Sequence, residues 1–308
     1  MNNSKLLKNI KNHWQLYVFL LIPVLYIIIF AYVPMAGAQI AFKKYRLKLG
    51  IWGSPWIGFD HFIKFFNSYQ FVRVLGNTLR ISIYSITVTF PLPVLFALFL
   101  NCLRRERFKR ILQTITYMPH FISIVVLVSI ILQVLNPRIG AYSLLYSSLH
   151  NGANPGDLMA NPDLFPHLYV WSGAWQSFGW ESIIYTAALA AVDPALHEAA
   201  QIDGASRFKR LIHVDLPCIL PTATIMLILR CGKVMSVGFE KAFLMQNSLN
   251  LPTSELISTY VYKMGLAASG SMDYSYSTAI GLFNSVVNLV LILLVNQFSK
   301  KFSENSLW

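Results

Sequence analysis

Six stretches of this 308-residue chain are apolar for long enough to cross the hydrocarbon of a bilayer, a crossing that takes about 17–25 helical residues. They lie near 16–36, 78–102, 114–135, 168–190, 217–239 and 276–298. Lipid offers no hydrogen bonds, so each stretch must satisfy its own backbone, and an all-α membrane protein with six transmembrane helices is expected. The fourth stretch is the least apolar, interrupted by Gln176 and Glu181. Composition agrees, with 55% hydrophobic and 12% charged residues, about half the charged share of a soluble domain. Such a chain is not disordered. Cys102, Cys218 and Cys231 lie in or beside apolar stretches without C-x-x-C spacing. They read as small apolar filler, not as a disulfide framework or zinc site.

Orientation follows from the cations, because Lys and Arg collect on the cytoplasmic side of short loops. Lys5, Lys8 and Lys11 precede the first stretch, and Arg104, Arg105, Arg107, Lys109 and Arg110 follow the second. Arg207, Lys209 and Arg210 follow the fourth, and Lys300 and Lys301 the sixth. Six crossings put all four regions on one side, so the chain is expected N-in and C-in. Cytoplasmic tails at 1–15 and 299–308 then flank a transmembrane domain over 16–298. Lys43, Lys44, Arg46 and Lys48 oppose this from the loop after the first stretch, and the other regions outvote them. The formal net charge of +12 then belongs to topology; nothing suggests a nucleic-acid platform. The N-terminal lysines, an apolar run and Ala36-Gly37-Ala38 imitate a secretory signal. Such a run spans roughly 7–15 residues, whereas 16–33 is uncharged throughout. It reads as a retained span.

Between the fourth and fifth stretches lies a polar island, 193–217. Asp193-Pro194 is a helix start: a carboxylate that accepts from free N–H groups, then proline at the first helical position. Ala195, Leu196, Ala199, Ala200 and Ile202 share one face of that helix, and His197, Glu198 and Gln201 the other. Gly204 supplies the backbone freedom to leave it. A second short helix is expected from Ala205 or Ser206, capped by Asp203, with Phe208, Leu211 and Ile212 on one side and Arg207 and Arg210 on another. Pro217 and Pro221 end this unit and open the fifth stretch. Periodicity alone also fits an amphipathic loop lying on lipid headgroups.

The residues themselves decide. Glu198-Ala199-Ala200, three residues, Gly204, nine residues and Val214-Asp215-Leu216-Pro217 resemble the EAA loop of the membrane subunits of binding-protein-dependent ABC importers. That pattern is E-A-A, three residues, G, nine residues, I-x-L-P; only the isoleucine differs, as Val214. The resemblance implies a type I ABC importer permease fold whose cytoplasmic coupling helices sit in a cleft of an ATPase. It implies coupling roles for Glu198, Ala199, Ala200, Asp203, Gly204, Leu216 and Pro217, the alanines allowing close approach and Gly204 the bend. Residues 40–43, 52–58, 238–244, 259–266 and 306–308 are similar to the polysaccharide and oligosaccharide permeases of the carbohydrate-uptake class. The partners so implied are a second homologous permease, two ATPase subunits, an extracellular solute-binding protein and an oligosaccharide, in the bilayer of a bacterial cytoplasmic membrane. The chain is expected not to be an enzyme. A Walker A loop needs G-x-x-x-x-G-K-[ST], and Gly232-Lys233 is followed by Val234. ATP and Mg are therefore assigned to the partner ATPases, and no cofactor to this chain.

Ionisable residues within spans are costly and so point to function. Glu181 in the fourth stretch and Arg230 and Lys233 in the fifth qualify, the last two being neighbours on one helix face. The fourth stretch also carries Trp171, Trp175, Gln176 and Trp180. Sugars present C–H faces and hydroxyls, which suit an aromatic plate beside amide and carboxylate groups. The candidate substrate pathway is Trp175, Gln176, Trp180, Glu181, Arg230, Lys233 and Glu240. Two cations facing it favour an acidic oligosaccharide, such as a uronic-acid or sialic-acid chain. The bland alternative makes the tryptophans interfacial anchors and Glu181 a structural partner of Arg230 or Lys233. The loop 242–275, with Tyr260, Tyr262 and Lys263, is either a plain connection or, as in related sugar permeases, a segment that reaches the binding protein. No histidine has metal-site spacing, and His120 suits a packing or capping role. A secondary transporter, or an importer permease for a non-sugar solute, stays the alternative; the inverted repeats of the former are not visible.

Overall fold

Prolines decide where the apolar stretches bend. The computed structural model describes residues 12–267 and 272–302, side chains of 301 and 302 excepted; Lys5, Lys8, Lys11 and 306–308 lie outside the described residues. The long helices are α1 Trp14–Phe42, α2 Tyr69–Cys102, the pair α3 Glu106–Phe121 and α4 Ile124–Val134, α5 Phe165–Ala190, α6 Pro194–Ile202, α7 Arg207–Cys231, α8 Phe239–Met245 and α9 Tyr274–Phe302. Within α1 the chain widens into a π-turn at Ile28–Tyr32, just before Pro34, and within α7 at Leu211–Asp215, just before Pro217. Proline has no N–H and its ring collides with the carbonyl four residues earlier. A wider turn ahead of it accommodates that carbonyl without breaking the helix.

Among the described residues four helices, α1, α2, α7 and α9, are long and apolar enough to cross a bilayer, or five if α3 and α4 form one broken span. The third stretch is therefore not the single helix expected over 114–135: its halves meet at 97°. Pro119 disrupts the ladder there, Ser123 Oγ caps α4 by accepting from Val126 N at 3.3 Å, and Gln176 Nε2 donates to the freed carbonyl of Ile122 at 2.8 Å. The fifth stretch ends at Cys231 and not near 239. Gly232 lies against α9, where a Cβ would come 2.7 Å from Ile292. The turn that follows is held by α9: Asn288 Oδ1 accepts from Met235 N at 3.0 Å, and its Nδ2 donates to Ser236 Oγ at 2.8 Å.

The chain divides into two compact units, 1–66 with 264–282, and 67–263 with 283–308. In the first, no side chain of Trp14–Ile27 is buried; a helix apolar all round needs lipid or a partner against it. Ala36-Gly37-Ala38 is helical, inside the tight turn Ala36–Phe42. Lys43 is 3% exposed, its Nζ donating to Ile51 O at 2.9 Å and lying 4.6 Å from the Trp56 ring. One of the four cations that opposed the expected orientation is thus a structural one, held by a carbonyl and an aromatic face.

In the second unit α5 is the common wall of two apolar clusters. Phe165, Tyr169 and Val170 join Ile81, Val128 and Met245; Tyr185 and Leu189 join Ala97, Leu98, Ile219 and Ala223. Packed mainly along the Pro91–Cys102 half of α2, α5 meets protein on much of its surface, so it needs less lipophilicity than its neighbours. Gly179 lets α3 come close: a Cβ there would lie 2.2 Å from Thr116 O. The loop beyond α8 is helical at Leu251–Ser254 and Ile257–Tyr262, with Tyr260 buried and Lys263 paired to Glu255 at 3.3 Å; its residues 268–271 lie outside the described ones.

Two predictions follow from this packing. Gly179→Ala should destabilise the protein by about 1–3 kcal/mol, the range for overpacking, whereas Gly76→Ala, which meets nothing within 4 Å, should be neutral or stabilising; thermal unfolding in detergent compares them. Lys241 is 6% exposed, its Nζ donates to Tyr169 O at 2.7 Å, and burial pulls its pKa down to about 7. Between that value and the unfolded value of about 10.4 the unfolded chain holds a proton that the folded chain releases. Stability should therefore fall as pH drops from about 10 to 7, by at most about 1.4 kcal/mol per unit, and level off below. Lys241→Met should remove that component, seen as a smaller loss of thermal stability between pH 9 and 7.

Candidate functional site

The 193–217 island is built around one hinge. Asp193 Oδ1 accepts from Ala195 N at 2.9 Å and Pro194 opens α6. α6 unwinds through Ala205 N donating to Ala200 O at 2.8 Å, with Gly204 at φ +74°, a conformation that side chains with a Cβ disfavour. The next helix is not a separate short one. It runs from Arg207 straight into α7, because the π-turn absorbs Pro217. Its cap is Ser206, whose Oγ accepts from Lys209 N at 3.3 Å, and not Asp203, which lies too far upstream and ends α6 instead. Glu198, Ala199, Asp203, Gly204 and Pro217 are exposed, Ala200 and Leu216 half-buried. Leu196, Ile202 and Phe208 are exposed as well, Ile202 to 86%, so the apolar face of α6 is largely open.

One feature of the island has no counterpart in periodicity. Asp215 is buried, and its Oδ1 lies 3.1 Å from Asn101 Nδ2 at the end of α2 and 3.3 Å from His197 Nε2 on α6. Read as the variable position of V-D-L-P, Asp215 gave no sequence signal. The aspartate's setting, in a helix otherwise apolar on its C-terminal side, is the signal that could have marked it.

A second polar site lies between α5 and α7. Arg230 pairs with Glu181 and donates to Thr89 Oγ1 at 2.6 Å. Arg230 and Glu181, with Trp180, Tyr185 and Met226, line a cavity of about 470 Å³. Trp180 stacks on His120 at 4.6 Å, giving His120 a packing role. Arg230 also lines a cavity of about 220 Å³, with Lys233, Ser82, Ser85, Thr89 and Tyr169. Lys233 belongs to the turn after α7, its N donating to Arg230 O at 3.0 Å, and is exposed without an ion pair among the described residues. It does not share a helix face with Arg230, because the helix ends between them.

Trp180, Glu181 and Arg230 thus share one cavity and Arg230 and Lys233 another, and the other three candidates lie elsewhere. Gln176 is engaged by the break between α3 and α4. Trp175 lines an apolar cavity of about 440 Å³ with Trp171 and Leu127. Glu240 is exposed in the first turn of α8. Thr89, Ser82 and Ser85 escaped sequence reading because single hydroxyls in apolar helices carry no periodic mark.

Comparison with known proteins places this geometry in a family. Residues 89–304 match the family described as "Binding-protein-dependent transport system inner membrane component". Protein LplB of Bacillus subtilis (strain 168) is 42% identical over 298 residues, 97% of this chain and 92% of that protein. The polygalacturonan/rhamnogalacturonan transport system permease protein YteP of the same organism is 39% identical over 305 residues, 99% of this chain and 94% of that protein. Among solved structures, a chain of a bacterial ABC transporter involved in the import of the acidic polysaccharide alginate superposes with a TM-score of 0.88 at 39% identity, covering 96% of this chain and 99% of that chain. A crystal structure of the bacterial alginate ABC transporter in complex with an alginate pentasaccharide-bound periplasmic protein gives the same TM-score, 0.88, at 38% identity. With the EAA loop folded as a hinged helix beside α7, the chain belongs to the binding-protein-dependent transport system inner membrane components, the permease subunits of type I ABC importers.

Proposed function

We propose that this chain is one of two permease subunits of an importer whose cargo is an acidic oligosaccharide. The observation that carries the cargo is Lys233, a cation without an ion-pair partner among the described residues at a hydroxyl-lined cavity, in a chain 39% identical to a subunit of an alginate importer. Arg230 is neutralised by Glu181, so Lys233 supplies the unbalanced charge. Hydroxyls of Ser82, Ser85 and Thr89 suit sugar hydroxyls, and Trp180 suits their C–H faces. The similarity to YteP, a polygalacturonan/rhamnogalacturonan transport system permease protein, supports the same class.

In this reading α1, α2, the broken pair α3–α4, α5, α7 and α9 make six crossings, N-in and C-in, with 1–15 and 299–308 as cytoplasmic tails of a domain over 16–298. The length of α5 and the structural engagement of Lys43 support it. The coupling loop 193–217 then faces the cytoplasm, where Glu198, Ala199, Ala200, Asp203, Gly204, Leu216 and Pro217 serve the contact to the ATPase. The open apolar side of α6, with Leu196 and Ile202, supplies surface for that cleft. Two partner ATPases bind and hydrolyse ATP with Mg, a companion permease completes the pathway, and an extracellular binding protein delivers the sugar. Closure of the ATPase pair draws the coupling helices together and opens the cavity outward; hydrolysis returns it inward.

Two measurements test this reading in the reconstituted importer. Lys233→Gln should lower uptake of an acidic oligosaccharide about tenfold, the loss of one charge-assisted contact, and leave a neutral one of equal length nearly unchanged; equal losses for both would refute the acidic assignment. Gly204→Pro forbids the positive φ and should leave ATP hydrolysis running while uptake collapses. Full uptake by that variant would remove the coupling role of the hinge.

A further inference from the structure

The coupling helix has little to hold it. None of its side chains is buried, and within Pro194–Ile202 only His197 and Ala200 are half-buried. It is chained to α5 through 191–193 and to α7 through Gly204, whose φ is +74° and where an added Cβ would meet nothing within 4 Å, so that packing does not hold the turn. A nine-residue helix held by such connections alone would swing when pushed, and its motion would be lost before it reached the membrane helices.

The Asp215 carboxylate opposes that swing. His197 Nε2, on α6, lies 3.3 Å from Asp215 Oδ1, and Asn101 Nδ2, next to the end of α2, donates to the same oxygen at 3.1 Å. Three elements therefore meet on one atom. Its side chain is only 7% exposed, and a buried carboxylate is costly unless donors compensate it. The imidazole N–H serves whether the ring is neutral or charged. Arg104, Arg207 and Arg210 line the same cavity, of about 310 Å³, and keep its surroundings cationic. The carboxylate sits at the last residue of the π-turn Leu211–Asp215, a widened turn of the kind that accompanies functional sites.

We propose that Asp215, with His197 and Asn101, is a positioning knot that makes α6 move as one body with α2 and α7, so that displacement of the coupling helix reaches the membrane cavity instead of being spent at Gly204. This rests on the importer reading above. None of the three residues need touch ATP, sugar or the ATPase; they act through the helices that they join.

The test uses the whole importer with its ATPase subunits, companion permease and binding protein in proteoliposomes, supplied with an acidic oligosaccharide. His197→Ala should keep the ATPase subunits in the complex yet raise the ATP hydrolysed per saccharide imported about tenfold, within the usual range of coupling energies. His197→Gln, whose amide N–H reaches the same oxygen, should restore most of the coupling. His197→Ala combined with Asp215→Asn should be no worse than the more severe single variant, because both break one contact. If Asp215→Asn fails to assemble, the Ala and Gln variants at the half-exposed His197 decide alone. Wild-type coupling in His197→Ala, strict additivity with Asp215→Asn, or release of the ATPase by His197→Ala would each overturn the knot. A wild-type complex that holds no ATPase would overturn the importer reading with it.

Discussion

Backbone hydrogen bonding is the constraint on which the rest of this structure depends. A carbonyl or N–H left unpaired in hydrocarbon has no water to turn to, so each departure from a straight helix must be matched by a partner. The partners are specific. Gln176 serves Ile122 at the break between α3 and α4, and Asn288 serves Met235 at the turn after α7. Asn77 Nδ2 donates to the carbonyls of Pro252 and Glu255, at 2.8 and 3.1 Å, fixing the loop beyond α8. Ahead of Pro34 and Pro217 a wider turn does the same work within the helix. Gln176, the amide read as a sugar ligand in the sequence, thus has a prior duty to the backbone.

That duty explains how candidates divided between α5 and its neighbours. α5 carries polar residues because protein surrounds much of it, and each polar group is assigned by the face on which it falls. Gln176 meets the α3–α4 break, Glu181 meets Arg230, and Trp175 and Trp180 fall on different faces, lining different cavities. Only the second tryptophan shares a space with the ion pair. An aromatic near an amide in sequence is a sugar platform only when the helix turns both toward one cavity.

Much of the fold was legible because its signals are local. Apolar length marked α1, α2, α7 and α9, Asp193-Pro194 marked the start of α6, and the six-residue step from Glu198 to Gly204 marked its hinge. The bend between α3 and α4 was not legible, since Pro119 followed by Ser123 permits a kink or a break and a distant glutamine stabilises the break. Nor was the end of α7: residues 232–239 are still apolar enough to continue a helix, and it is Asn288, fifty-three positions beyond Met235, that holds the turn instead. The structural engagement of Lys43 was not legible because its carbonyl and ring partners, Ile51 and Trp56, are set by the fold of the loop. The Asp215 contacts escaped for the same reason, as 114 positions separate Asn101 from Asp215.

The arrangement of α5, α6 and α7 has a mechanical consequence. α7 holds Asp215 at its internal π-turn and Arg230 near its C-terminal end, fifteen residues apart, about 22 Å along the axis at 1.5 Å per residue. α5 runs beside it from Glu181, the partner of Arg230, to Ala190, three residues before the cap of α6. The two helices are thus linked by the ion pair beside the cavity, by apolar packing of Tyr185 and Leu189 against Ile219 and Ala223, and by α6 at the loop. His197 against Asp215 adds a polar brace that ties α6 itself to α7. Through Asn101 the brace also takes in α2, which carries Thr89, the hydroxyl that accepts from Arg230. The loop 193–217 and the cavity are therefore connected through the same three long helices, the path along which the proposed knot would pass a displacement of α6.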